Sequence, residues 1–143
     1  MIETINKNWG WTGAMADEVI VINEFGNIIF RSGDGCYWRI CPEELSCKVI
    51  ANNTAEYEKL WQDEEFLHDW EMKKLVDMAK ADLGELEPGE KYCLKLPAVI
   101  GGLYEVHNFG KVEQLEQISF SGDFGRQIQG MSDGAGIKIN LEP

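Results

Sequence analysis

The chain has 143 residues, 25 acidic against 13 basic, for a net charge of −12, and 44% of it is apolar. That apolar share, with five tryptophans, excludes a disordered chain, and the length suits one domain (residues 1–143) able to bury a core without staples. The negative field opposes direct contact with nucleic acid phosphates or anionic membranes and favours a basic partner.

The charge is uneven. Residues 53–90 hold 12 acids and 4 bases, so two thirds of the net charge comes from one short segment. The first residues, MIETINKNWG, lack the basic-then-apolar order of a signal peptide. No apolar run approaches the ~18 residues needed to span a bilayer. A cytoplasmic protein is expected.

In chain order, residues 1–16 read as a short helix that ends by pinning Trp9 and Trp11 onto the core. Glu18–Ile22 and Asn27–Phe30 are β-branched runs around a turn containing Gly26, which predicts a hairpin. After the turn Ser32-Gly33-Asp34-Gly35, the segment CYWRIC (36–41) is a third strand. Its alternation places Cys36, Trp38 and Ile40 on one face and Tyr37, Arg39 and Cys41 on the other. Pro42–Leu45 reads as a turn and Ser46–Ala51 as a further strand.

Asn53 or Thr54 caps a helix over 55–62. Asp63 caps the next, which runs to Gly84 and bends near His68–Trp70, where its apolar stripe rotates. Lys91–Leu96 is a strand stopped by Pro97, and Leu103–Val106 a second extended piece. Residues 113–129 are helical, and the small Ser119, Ser121, Gly122 and Gly125 suit close approach to the sheet. Ser132–Gly134 is a turn and Ile137–Leu141 a last strand. The sum is an α+β domain, an antiparallel β-sheet packed against about three helices.

Catalytic and metal signatures are weak, and no catalytic residue, metal or cofactor is expected. Cys36, Cys41, Cys47 and Cys93 have spacings that fit no common zinc or redox motif, and read as reduced, mostly buried thiols. Glu65-x-x-His68 has the spacing of a carboxylate-bridged metal ligand pair, but His107 lacks the matching Glu. The glycine-containing turns lack the strand and lysine of a phosphate loop.

Several long motifs carry a resemblance. YWRICPEEL (37–45), the W-x-x-x-x-F-L-x-D-W-E-M pattern (61–72), YCLKLPAVIGG (92–102), NFG (108–110) and SFSGDFGRQI (119–128) stand in this chain. Together they resemble the domain at the C-terminus of immunity proteins for type VI secretion DNase effectors, long catalogued as a domain of unknown function. The resemblance runs from Trp9 to Leu141. It implies a cytoplasmic protein that binds a cognate, basic, nuclease-like toxin and blocks it without catalysis. That family often joins this domain to a GAD-like one, for which 143 residues leave no room.

An acidic inhibitor can occupy the basic surface a nuclease presents to DNA and gain a fast association rate. The expected contact face centres on Asp63, Glu64, Glu65 and Asp69, with Glu43 and Glu44 as second candidates. The competing reading is a solvated helix face without a partner. The alternative function is a small-ligand or regulatory module with a pocket formed by Trp38, Arg39 and Trp70.

Overall fold

A computed structural model describes residues 1–130. The elements are α1 (Ile2–Trp9), β1 (Ala16–Ile22), β2 (Ile28–Ser32), β3 (Tyr37–Cys41), β4 (Ser46–Ala51), α2 (Thr54–Leu60), α3 (Glu64–Glu71), α4 (Lys73–Leu83), β5 (Glu90–Leu94), β6 (Phe109–Glu113) and α5 (Gln114–Gln129). The fold class is α+β. β1 to β4 form an antiparallel meander in chain order, and β5 pairs with β6 in a separate two-stranded sheet. The expected turn at Ser132–Gly134 and strand at Ile137–Leu141 lie outside the described residues.

The four-stranded sheet is covered on both faces. Ile28, Phe30 and Ile40 pack with Ile5 and Trp9 of α1 and Ile118 of α5. From the other face, Ile29 and Tyr37 pack with Trp70 of α3 and with Tyr57, Trp61 and Phe66. A third cluster joins Val76 and Ala79 of α4 to Tyr92, Leu94 and Phe109 of the small sheet, around Phe25 from the β1–β2 turn. That turn needs Gly26, whose φ is +75° and whose Cβ, if present, would lie 1.8 Å from Oε1 of Gln117. Gln117 in turn donates through Nε2 to the Phe25 carbonyl at 3.1 Å. The hairpin tip and α5 are thereby locked together.

Three expectations change. The helix beginning at Glu64 does not bend near Trp70; it ends at Glu71, and α4 restarts at Lys73 after Met72 adopts the left-handed φ of 48°. The cause is a change of packing partner. Trp70 and Phe66 face the four-stranded sheet, whereas Met72, Leu75 and Val76 face the small one, and no single helical axis serves both. The second extended piece is Phe109–Glu113, not Leu103–Val106. Gly110 and Lys111 interrupt its apolar alternation. The loop before it is held by the buried Asn108 side chain, which donates to the Leu96 and Leu103 carbonyls and accepts from the Leu96 amide. Finally, the small residues of α5 serve approach to α1 more than to the sheet. A Cβ on Gly122 would stand 2.5 Å from the Asn8 carbonyl oxygen.

Candidate functional site

The acidic helices stand on a ladder of rings. Tyr37 stacks on Tyr57 with centroids 4.2 Å apart and planes at 4°. Tyr57 meets Trp61 edge-on, and Trp61 meets both Phe66 and Trp70 in the same way. Such edge-to-face contacts add about 0.5–1.5 kcal/mol per pair beyond burial. They fix α2 and α3 against the sheet from their inner sides and leave the outer sides to polar groups.

Both helices begin with side-chain caps. Asn53 accepts from the Glu56 amide at 2.9 Å, and the Glu56 carboxylate accepts from the Asn52 amide at 3.0 Å. Asp63 accepts from the Glu65 amide at 2.9 Å and the Phe66 amide at 3.4 Å. Glu64 and Glu65 then sit in the first turn of α3, where the helix dipole favours negative charge. All three acids are exposed, as is every Asp and Glu from Glu56 to Glu87. The charge concentrated in this segment is therefore presented to solvent.

The other expected acids fall differently. Asp69 is exposed but paired, accepting from Arg39 at 2.6 Å. Glu44 is exposed and accepts from the Tyr104 hydroxyl at 3.1 Å. Glu43 is buried, 6% exposed, and Asn27 Nδ2 lies 3.0 Å from each of its carboxylate oxygens. Burial pushes its carboxyl above the usual range, opposed chiefly by the Asn27 hydrogen bond. This placement removes Glu43 from the solvent-facing acids, because the left-handed Leu45 that ends the 3₁₀ turn at 42–44 folds the segment back over α5. Sequence reasoning had no signal for it: one Glu of an adjacent pair is inside and the other outside.

Trp38, Arg39 and Trp70 do not meet around one pocket. Trp38 lies on the α1 side of the sheet, stacked on Phe30 at 6.2 Å, with its indole donating to Ser32 Oγ. Arg39 and Trp70 lie on the other side, with the guanidinium carbon 5.2 Å from the ring centre. Adjacent strand residues point to opposite faces, so Trp38 could not join them. Arg39 is also held at both ends, since Nε donates to Asn27 Oδ1 at 3.0 Å and Nη1 donates to Asp69. A polar chain thus runs Glu43–Asn27–Arg39–Asp69, from the buried turn to the α3 surface.

Beside that chain, β3 and β4 and the α3–α4 junction enclose a cleft of about 540 Å³. Its lining includes Arg39, Lys48, Lys73 and Lys74 as well as Ile50 and Tyr104. The lysines are contributions the sequence reading missed; the Lys73-Lys74 pair inside an acidic run was the one visible hint. A second hollow of about 640 Å³ lies between α5 and the end of β5, lined by Leu94, Pro97 and Phe120 among others.

The cysteines are free; Cys47 is buried and the other three are partly buried. Burial pushes the Cys47 thiol up to about 11, and raises Cys41 and Cys93 as well. Each stays a thiol at neutral pH. Among the described residues no group of three or more His, Cys, Asp or Glu side chains is arranged to hold a metal ion, and no helix is long and apolar enough to cross a membrane.

No curated protein is matched by the chain. A family model does match it: the model described as T6SS immunity protein Tdi1, C-terminal, covers residues 51–125. That span begins at the last residue of β4 and takes in α2, α3, α4, the small sheet and most of α5, so both acidic helices and the α4 wall of the cleft fall inside it. The YWRICPEEL segment lies outside. With more than half of its length matched, this chain belongs to the family of the C-terminal region of T6SS immunity protein Tdi1.

Proposed function

We propose that this protein neutralises a cognate type VI toxin of the nuclease class by binding it, without catalysis, in the cytoplasm. The binding face is the outer side of α2 and α3, with Asp63, Glu64 and Glu65 at its centre and Asp69 and Glu44 at its margin. One observation carries the reading beyond family membership: every acid from Glu56 to Glu71 is exposed, on α2, α3 and the turn between them, whose inner sides are fixed by rings. A nuclease must offer DNA a basic surface, and a rigid acidic face can occupy it at a rate raised by long-range attraction. Glu43 has no part in this face.

The test is capture by tagged protein from its native bacterium, in low and high salt, with partners identified by mass spectrometry and assayed for DNA cleavage. A nuclease toxin should be recovered, inhibited in the complex, released by salt, and bound at least tenfold more weakly by the Glu64→Lys, Glu65→Lys variant. A toxin held equally well by that variant would sink the interface. A captured toxin without nuclease activity would sink the nuclease assignment, and no toxin at any salt would sink the function.

A further inference from the structure

We propose that the cleft between β3–β4 and the α3–α4 junction binds a small phosphorylated molecule, a function separate from toxin capture. Four of the chain's 13 basic residues line it: Arg39, Lys48, Lys73 and Lys74. Lys48 comes from the sheet and Lys73 and Lys74 from the start of α4, so positive charge converges from opposing walls. All three lysines are exposed, and none has a carboxylate within 4.0 Å among the described residues.

That arrangement is unexpected in a chain with nearly two acids for each base. The cleft has carboxylates of its own, but fewer than its cations, and each has a hydrogen-bond partner. Asp69 is held by Arg39, Glu44 by the Tyr104 hydroxyl, and Glu43 lies inside against Asn27. Among the described residues the three lysine ammonium groups have no ion-pair partner, and with Arg39 they outnumber the carboxylates of the cleft. Their position also opposes local helix electrostatics. α3 opens with Asp63, Glu64 and Glu65, whereas α4 opens with two lysines and no side-chain cap. Positive charge in a first turn is unfavourable for the helix itself, and a bound anion at the cleft would relieve it.

The dimensions suit a metabolite. About 540 Å³ is within the usual range of small-molecule sites. Ile50, Leu75 and the Tyr104 ring supply apolar wall beside the charges. A phosphate chain on the lysines with an apolar or aromatic body against that wall fits both features, and a nucleotide is the simplest such molecule.

Purified protein is titrated with ATP, inorganic pyrophosphate and a Glu-rich peptide, by calorimetry and by amide chemical shifts. ATP should bind saturably, shifting amides of residues 48 and 73–75, and the Lys48→Ala, Lys73→Ala, Lys74→Ala variant should weaken it at least tenfold. These residues are exposed and two of them oppose the α4 dipole, so the variant should melt no lower than the parent. A Lys59→Ala, Lys80→Ala control, with two exposed lysines outside the cleft, should bind as the parent does. Pyrophosphate binding as tightly as ATP would support the site and place recognition in the phosphates. Failure of both phosphate probes to saturate, equal binding by the triple variant, or binding of the peptide alone would overturn the proposal. Toxin capture by the triple variant should be unchanged, which separates this result from the immunity reading.

Discussion

The two faces of the four-stranded sheet are covered by helices in different ways. On one, α5 lies so close to α1 that Gly122 has no room for a methyl group against the Asn8 backbone, and the Trp11 indole donates to the carbonyls of both Asn8 and Gly122. On the other, α2 and α3 are held off the strands by Tyr57, Trp61, Phe66 and Trp70. Backbone-close packing leaves the first face little freedom, since any added atom must displace main chain. Ring packing puts a layer of side chain between the sheet and the displayed surface. The outer positions of α2 and α3 then carry no packing duty, and their acids can answer to a partner without disturbing the fold.

Trp70 offers the largest break in this contrast. Trp70→Ala removes a ring that is 6% exposed and takes the stacked support from Arg39. A loss of about 3–5 kcal/mol is expected in urea denaturation. A loss below about 1 kcal/mol would show that the rings do not carry the acidic helices. Next comes Gly122→Ala, which should cost about 1–3 kcal/mol through overpacking against Asn8. Gly10→Ala, where φ is −60° and an added Cβ would meet nothing within 4 Å among the described residues, should stay within about 0.5 kcal/mol of the parent. Equal effects at the two glycines would end the close-packing account.

The smallest effect sharpens the comparison at Asp63, which is both a cap and a surface charge. Asp63→Ala should lose about 0.5–2 kcal/mol in thermal or urea unfolding by leaving the Glu65 and Phe66 amides uncapped. Asp63→Asn keeps an accepting oxygen and should hold parent stability. If the charge serves toxin capture, Asp63→Asn should still slow association in low salt, by stopped-flow or surface binding. An unchanged rate would assign Asp63 to the fold alone.

Much of the local structure was readable. The meander follows from β-branched runs and glycine turns, and both acidic helices from Asn53 and Asp63 standing just before their apolar stripes. The Tyr37/Arg39 and Trp38/Ile40 division follows from strand alternation, and alone is enough to keep Trp38 out of a pocket with Arg39. The β6 strand escaped because Gly110 and Lys111 blur its pattern. The break at Met72 was legible as a rotation of the stripe, though not as a left-handed residue, since methionine carries no preference for that conformation.

Exposure of the acidic segment was also within reach of the sequence, because so many like charges cannot be buried together. Which acid of Glu43-Glu44 goes inside could not be read. That choice depends on Asn27, 16 residues away, offering its amide to a carboxylate in the core. The lysine cleft is of the same kind. Lys48 and the Lys73-Lys74 pair are separated by two helices, and they line one cleft only in the folded chain. Local propensity and charge density are properties of neighbours in the chain, and they fixed the helices, the strands and the acidic character. The buried carboxyl and the convergent lysines are properties of neighbours in space, so only the tertiary structure decided them.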